Sequence, residues 1–168
     1  MANERRMILP NEGEVVLRGS FGVVGKVSGE ETGGAYSMVE HPLEPRVLAS
    51  PPHTHENEDE VSFVIEGEVG VMVGEEEFVA GPGAYVIKPR GVPHAFWNAG
   101  PERARILEII SPAGFERYFE DLAEVLSSTP PGGPPDLGRI SGVAARYSLT
   151  FHMERVPELM ERHGVELR

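Results

Sequence analysis

Two short stretches decide how this sequence is interpreted: residues 53–67 read HTHENEDEVSFVIEG, and residues 83–98 read GAYVIKPRGVPHAFWN. The first stretch opens with His53 and His55, which are separated by a single threonine. Side chains alternate between the two faces of a β-strand, so residues two positions apart point the same way. Both imidazoles can therefore reach one ion from one extended segment.

Two further side chains complete this pattern. Glu60 opens the next predicted strand after the acidic turn at residues 56–59, and His94 begins another strand after the turn at residues 89–93. Neutral imidazoles and carboxylates suit first-row divalent metals such as Zn, Fe, Ni, Cu, Co and Mn. An H-x-H pair by itself is equally well explained by two surface histidines, but the four residues together predict a divalent metal site.

The glycines and prolines around these four residues resemble the two sequence motifs of the cupin superfamily. In the first motif, His-x-His is followed by four residues, Glu60, six residues and Gly67. The second motif matches at every gap, through Gly83, Pro89, Gly91, His94 and Asn98. One position departs from the pattern, since Val47 stands where the first motif begins with glycine. The resemblance covers residues 34–110, and the motif spacing and C-terminal tail are similar to those of the small quercetinase-like cupins.

This resemblance implies both a site and an activity. It implies one divalent metal ion per chain (Fe, Mn, Ni, Co or Zn), held by His53, His55, Glu60 and His94. It further implies a metal-dependent dioxygenase acting on a small chelating enol or an aromatic, flavonol-like substrate, with Glu60 as the catalytic proton acceptor. Two alternatives stay open: a cupin isomerase or lyase that stabilises an enolate without O₂, and a non-catalytic metal- and ligand-binding cupin.

Residues that share a strand face with the ligands are candidates for a substrate pocket. Ser62 and Val64 alternate in phase with Glu60, and Phe96 alternates in phase with His94. A small hydroxyl at Ser62 leaves room near the ion, although the same residue is equally well a small core residue. We therefore predict that these three residues line the pocket.

Other polar residues near the motifs are assigned structural roles. Asn98 is expected to brace the fold rather than to contact substrate. The acidic residues of the turn, Glu56, Glu58 and Asp59, are expected to be solvated. The remaining histidines, His41, His152 and His163, lie outside the motif frame and are interpreted as structural.

The composition of the chain indicates which kinds of molecule the protein is expected to bind. The chain has 168 residues, a formal net charge of −12 and no cysteine, and its isoelectric point is about 4.9. An acidic surface repels phosphate backbones and anionic lipid, so we expect a small-molecule partner, no nucleic acid and no membrane. No apolar stretch approaches the length of a membrane span or of a signal-peptide core, so a cytoplasmic location is expected.

The pattern of turns predicts an all-β fold followed by helices. Short β-branched segments bounded by glycine and proline fill residues 1–111 and agree with a cupin jelly-roll β-barrel or sandwich, and His41-Pro42 and Pro45 are expected to bend the chain. Residues 112–168 are predicted to form a C-terminal helical extension packed on the barrel. Its first helix is expected to be capped by Ser111, its second by Asp136, and its last to end at Gly164.

We also expect a homodimer. Residues 7–9 and 15–17 are apolar and have no obvious partner inside a minimal barrel. An unpaired strand edge is a liability that pairing with a second chain removes, and the resemblance to cupins implies the same assembly.

Overall fold

The computed structural model describes residues 7–130 and 133–168, and β-strands dominate this part of the chain. The first six residues of the predicted β domain lie outside it. Within the described residues, the strands are β1 (Glu14–Leu17), β2 (Val23–Val27), β3 (Ser37–Leu43), β4 (Val47–Leu48), β5 (His53–His55), β6 (Asp59–Glu66), β7 (Val69–Val73), β8 (Glu76–Ala80), β9 (Tyr85–Lys88), β10 (His94–Asn98), β11 (Ala104–Ser111), β12 (Leu149–Phe151) and β13 (Glu166–Leu167). The helices are α1 (Glu116–Ser127), α2 (Leu137–Arg146) and α3 (Val156–His163), with a 3₁₀ turn at Met153–Arg155.

The strands form two sheets. One sheet has the order β1-β2-β3-β11-β6-β9, and the other contains β12-β5-β10-β4-β13 with β7 also paired to β10 and β8 to β7. The pairs are antiparallel except β13 with β4. Because the two motifs lie on β5, β6, β9 and β10, both sheets contribute to the predicted site.

The main apolar core lies between the two sheets. Val64 and Ile106 come from the first sheet, whereas Val71 and Phe96 come from the second, and all four belong to one buried cluster. Alternation along β6 buries Glu60, Ser62 and Val64 on the same face, as the sequence predicts. Each sheet therefore presents apolar side chains to the other, and a few polar side chains share that interior.

The C-terminal extension packs on the strands and also joins them. Phe119 of α1 and Val143 of α2 lie in one buried cluster with Val39 of β3. The sequence analysis missed the two strands of the extension: β12 pairs with β5, and β13 pairs with β4. None of the helices in the described ranges is long and apolar enough to cross a membrane.

The predicted beginning of the first helix is wrong. Ser111 ends β11 and donates its hydroxyl hydrogen bond to the carbonyl of Ala35, at 2.9 Å, instead of capping a helix. Gly114 then adopts a positive φ of 125°, and α1 begins only at Glu116. The other two predicted boundaries are confirmed, because the Asp136 carboxylate accepts from the amide of Arg139 and Gly164 adopts the left-handed conformation after α3.

The bend predicted from His41-Pro42 and Pro45 is confirmed at Pro45, which lies in a turn, but is wrong at His41-Pro42. Strand β3 continues through both residues to Leu43. Pro42 is paired with Arg105 of β11 on one side, and its carbonyl accepts from the amide of Gly22 at 2.9 Å on the other. Proline is compatible with extended backbone when its missing amide is not required, so the neighbouring strands hold this segment straight.

Trp97 and Gly70 make the closest contact between β10 and β7. The two residues are directly paired, and Trp97 is 2% exposed. A Cβ at position 70 would lie 2.0 Å from Nε1 of Trp97, so only glycine fits there. The other face of the indole stacks on His163 of α3 at a centroid distance of 4.2 Å. This contact fixes the strand that begins at His94.

Candidate metal centre

Adjacent strands of the second sheet bring the three predicted histidine ligands together. His53 and His55 lie at the two ends of β5, and His94 opens β10 directly opposite His53. The rings of His53 and His94 are 4.5 Å apart between centroids, and those of His55 and His94 are 5.4 Å apart and parallel. All three side chains are buried.

Glu60 reaches the same point from the opposing sheet. Its Oε1 lies 3.4 Å from Nε2 of His55, and its Oε2 lies 3.2 Å from Nε2 of His94. The carboxylate is buried, with only 4% of the residue exposed. The candidate centre therefore lies in the interior of the fold, where water competes little for the same donor atoms.

The Nδ1 atoms of His53 and His94 are held from behind, which turns the other ring nitrogens inward. Nδ1 of His53 lies 2.8 Å from the carbonyl of Pro51, and Nδ1 of His94 lies 3.1 Å from that of Val92. Nδ1 of His55 makes no hydrogen bond to any described residue, and a carboxylate oxygen of Glu58 lies 3.4 Å from it. Metal-binding histidines characteristically direct the second nitrogen to a carbonyl or carboxylate in this way.

Glu58 is therefore more than a solvated turn residue. Its side chain is only 11% exposed and faces His55. Asp59 does remain at the surface, where it pairs with Arg90 at 2.7 Å. The tight turn after β5 explains the difference, because it returns Glu58 towards the strand while Asp59 begins β6 on the outer face.

The donor set fits a divalent metal ion. One donor atom from each of the four residues can be chosen so that all lie within 4.8 Å of one another. Two ligands about 2.1 Å from one ion are at most about 4.2 Å apart, so only a small closure is needed. Within the described residues, Nε2 of His55 and Nε2 of His94 are buried and lack a hydrogen-bond partner. A metal ion would satisfy both atoms.

The surroundings of His53 and His94 favour the protonation state that a metal needs. Burial, followed by the nearby His94, lowers the pKa of His53 well below its ordinary value. Burial likewise lowers the pKa of His94, although Glu60 opposes the shift. Neutral imidazoles leave a nitrogen lone pair available for an ion near neutral pH.

Two buried charged residues lie near Glu60. Neither was predicted as a site residue. Lys88 ends β9 opposite Glu60, and its ammonium lies 3.0 Å from Oε2 of that residue. The same ammonium donates to Oε2 of Glu108 on β11 at 2.6 Å. Ser62 donates its hydroxyl to Glu108 at 3.0 Å. A chain of polar groups thus runs from the candidate centre across the first sheet.

The charged groups in this row, Glu60, Lys88 and Glu108, shift one another's pKa values. Burial alone would raise the pKa of Glu60, but Lys88 and then His55 lower it well below its usual range. Burial alone would lower the pKa of Lys88, yet Glu108 and Glu60 raise it. Burial raises the pKa of Glu108 to about 7, with Lys88 opposing. Glu60 is therefore held as a carboxylate and Lys88 as a cation.

The predicted pocket residues lie in different surroundings. Ser62 is buried, and Glu108 fills the space beside its hydroxyl. Val64 packs in the apolar core between the sheets, together with Phe96. The Phe96 ring also lies under the ammonium of Lys88, at 5.1 Å from its centroid. Their contact with a substrate stays a prediction.

The C-terminal extension covers the candidate centre. The ring of Phe115 lies edge-on to His55 at 4.3 Å between centroids, and that of Phe151 lies 6.3 Å from His53. Leu149 and Phe151 of β12 are paired with His55 and His53 on β5. No local pattern in the sequence signals this cover, because the contacting residues are 60 positions apart for His55 and Phe115 and 98 apart for His53 and Phe151.

The remaining predicted structural residues have structural contacts. The Asn98 amide donates to the carbonyls of Glu102 at 2.8 Å and Glu44 at 3.2 Å, as expected of a brace. His41 is buried against Phe21, and burial lowers its pKa to about 4. The other two histidines form contacts away from the ligand nitrogens: His152 with Thr54 at 2.8 Å, and His163 with Glu77 at 2.9 Å.

Comparison with known proteins identifies the fold that contains the candidate centre. The family model described as "Cupin domain" matches residues 40–110. No curated protein matches the chain. The solved structure of an uncharacterized conserved protein with a double-stranded β-helix domain from Klebsiella pneumoniae is similar, with a TM-score of 0.55 and 20% identity over 66% of this chain and 93% of that one.

Two other solved structures are similar over shorter lengths. KdgF from Halomonas sp. gives a TM-score of 0.53 and 17% identity, over 60% of this chain and 86% of that one. A sugar phosphate isomerase of the cupin superfamily from Silicibacter pomeroyi gives a TM-score of 0.49 and 24% identity over 55% of this chain, which spans 59% of that protein. At 17% identity, the likeness to KdgF concerns the fold. The motifs, the family match and the two facing sheets agree, and residues 40–110 form a domain of the cupin superfamily.

Proposed function

We propose that this protein is a metal-dependent oxidoreductase of the dioxygenase type, acting on a small chelating enol or an aromatic, flavonol-like compound. The observation that carries the proposal is the convergence of three imidazole Nε2 atoms and the Glu60 carboxylate in one buried space. One divalent ion per chain, Fe, Mn, Ni, Co or Zn, would be held by His53, His55, Glu60 and His94. The motif resemblance to small quercetinase-like cupins supports the substrate class.

The protein's own contribution is to hold the ligands and to exclude water. A bound divalent ion would supply Lewis acidity towards a substrate oxygen, and a redox-active ion would add the capacity for oxygen chemistry. Phe115 and Phe151 cover the imidazoles, and Phe96 and Val64 keep the adjoining interior apolar. Electrostatic interactions are stronger in such a water-poor site.

The charge on Glu60 favours an acidic substrate. We assign Glu60 as ligand and as proton acceptor. Its contact with Lys88, at 3.0 Å, makes it a weak base, because the cation stabilises the ionised carboxylate. A weak base suits the hydroxyl of an enol or a catechol better than an unactivated C–H bond. This observation favours the dioxygenase over an enzyme that must first remove a carbon-bound proton.

A second candidate function, an isomerase or lyase that stabilises an enolate without O₂, is favoured by a different residue. Burial raises the pKa of Glu108 to about 7, which is the range of an effective general base near neutral pH. Glu108 contacts Lys88 at 2.6 Å, and Lys88 in turn contacts Glu60. A proton acceptor at Glu108 would be separated from the metal ligands by Lys88.

The metal centre is tested by replacing one ligand and one matched histidine. After chelation and reloading with Co(II) or Mn(II), the His94→Ala variant should retain far less metal than the wild type. The control is His163→Phe, because His163 lies on α3 and contacts Glu77 rather than the ligands, and a phenyl ring keeps an aromatic group stacked on Trp97. Full metal retention by His94→Ala would refute the centre.

The reaction type is tested by comparing aerobic with anaerobic turnover on flavonols, β-diketones and keto acids. The dioxygenase should consume O₂ with a chelating enol and stop under strict anaerobiosis. The Glu60→Gln variant should lose more turnover than bound metal, since its amide cannot take a proton. Full activity without O₂ would exclude the dioxygenase and support the isomerase or lyase.

We further propose that the protein is a homodimer. Strand β1 is an edge strand of the first sheet. Met7, Leu9 and Val15, at or just before this edge, are 71%, 48% and 46% exposed. A second copy that covers these apolar side chains and extends the sheet would remove the unpaired edge.

A further inference from the structure

The interior of the first sheet contains a lysine that has no direct access to solvent. Lys88 is 0% exposed, and it is the largest of the fully buried side chains among the described residues. Burying an ammonium group is costly unless the charge is paired and its hydrogen bonds are satisfied. A cation retained at this position, next to a candidate ligand, calls for a specific explanation.

The ammonium of Lys88 makes its close contacts with side chains of the protein itself. It lies 3.0 Å from Oε2 of Glu60 and 2.6 Å from Oε2 of Glu108. Its third side faces the ring of Phe96, at 5.1 Å from the centroid. These three neighbours surround the charge, so Lys88 is built to hold protein groups in place rather than to meet a substrate.

Glu108 is in turn fixed from its other side. The hydroxyl of Ser62 donates to Oε1 and Oε2 of Glu108 at 3.2 and 3.0 Å. Ser62 lies on β6, two residues after Glu60, and Glu108 lies opposite it on β11. The three strands β9, β6 and β11 are adjacent in one sheet, so the anchor of Lys88 is as rigid as the sheet itself.

We propose that Lys88, anchored by Glu108 and Ser62, is a positioning residue that fixes Glu60 in its metal-binding orientation. Lys88 holds Oε2 of Glu60, which also lies 3.2 Å from Nε2 of His94, and Oε1 then lies 3.4 Å from Nε2 of His55. The contact with Lys88 therefore sets the orientation in which both carboxylate oxygens face the ligand cluster. This inference rests on the proposed metal centre and adds a residue behind it that orients one ligand.

Because Lys88 carries a buried charge, replacing it alone would not test its positioning role. Removing Lys88 alone would leave two buried carboxylates without their cation, which is strongly destabilising. It would also remove a positive charge near the ion, which by itself strengthens metal binding and masks a loss of orientation. Replacing both members, Lys88→Met with Glu108→Met, removes the anchor and leaves the net charge unchanged where Glu108 is ionised, so binding is compared above its pKa of about 7. Apolar replacement of a complete buried pair is usually tolerated.

The test compares Co(II) binding by the wild type, the Lys88→Met/Glu108→Met variant and a control, Lys26→Met. Lys26 is a paired lysine of the same sheet whose ammonium lies 3.3 Å from Glu40. Affinity is measured by competition with a chelating dye, and the visible absorption spectrum of bound Co(II) reports its coordination. Residues that orient a metal ligand typically change affinity by about 10–100-fold when they are replaced.

We expect the double variant to bind Co(II) about 10–100-fold more weakly and with an altered spectrum, while Lys26→Met matches the wild type. An affinity and a spectrum equal to those of the wild type, or tighter binding, would overturn the inference while the metal centre stands. Absence of Co(II) binding by the wild type itself would refute the metal centre and this inference together. If the double variant does not fold, as judged by circular dichroism, Ser62→Ala replaces it, because this milder change should weaken binding in the same direction.

Discussion

The Gly70→Ala substitution tests how closely the second sheet is packed around the strand that begins at His94. The added Cβ would lie 2.0 Å from Nε1 and 2.2 Å from Cε2 of Trp97. Non-bonded heavy atoms prefer separations of about 3.5–4.0 Å, so the indole would have to move by about 1.5 Å. It has no free space, because it is 2% exposed and stacks on His163 at 4.2 Å.

Overpacking of a filled core costs about 1–3 kcal/mol, and this contact is short enough to reach the upper end. For a chain of this size, a loss of about 3 kcal/mol corresponds to a fall in Tm of roughly 6–12 °C. The change is measured by thermal and urea unfolding of the metal-free protein. A Gly70→Ala protein that unfolds like the wild type would refute the packing described here.

A matched glycine supplies the control. Gly142 lies inside α2, and a Cβ there would meet no atom within 4 Å. Alanine is the better helix former, so Gly142→Ala should raise stability by up to about 1 kcal/mol. Adding Trp97→Phe to Gly70→Ala removes the atoms that clash, so the two substitutions should be less destabilising together than the sum of their separate effects.

Three further outcomes are expected. Asn98→Ala should lower the free energy of unfolding by about 2–3 kcal/mol, because it removes the bonds to Glu102 and Glu44 and leaves the amide of Gly100 without its acceptor, whereas Asn11→Ala at the surface should change little in the same urea titration. The stability that Glu108 contributes to the metal-free protein should fall by up to about 3 kcal/mol as pH rises from 4.5 to 7, since the folded state holds its proton more tightly than the unfolded state, while the lowered pKa values of His41, His53 and His94 act in the opposite direction. The free energy of unfolding of the wild type minus that of Glu108→Gln should therefore fall across this range, and a constant difference would contradict the assignment. Light scattering should give twice the chain mass of 18.3 kDa, and a monomer at micromolar concentration would refute the proposed dimer.

The strands and the ligand cluster could be predicted because each depends on local sequence. Glycine and proline mark the turns around β7, β8 and β10, and the short segments between these turns are strands, as predicted. The spacing of His53, His55 and Glu60 brings these side chains to one point in any chain that folds into this pair of sheets. Whether they bind a metal stays a prediction.

Lys88 and Glu108 were missed although the sequence contained a signal. Each alternates in phase with buried apolar neighbours, Lys88 with Val86 and Glu108 with Ile106 and Ile110. A charged residue in the inward phase of a strand is normally interpreted as a sign that the strand ends or lies at the surface. Only the pairing of β9, β6 and β11 shows that the two charges neutralise each other. That pairing is a long-range property of the fold.

The pairing of β12 with β5 makes the tail a reporter of the candidate centre. Thr150 is paired with Thr54, which lies between the two histidines of the first motif. Binding of an ion to those histidines would stabilise β5 against local opening, and the ladder would transmit this protection to residues 149–151. Amide hydrogen exchange in the tail would then slow on metal loading, without any label or substrate. For the same reason, a truncated chain that ends before β12 would expose an unpaired strand edge beside the imidazoles.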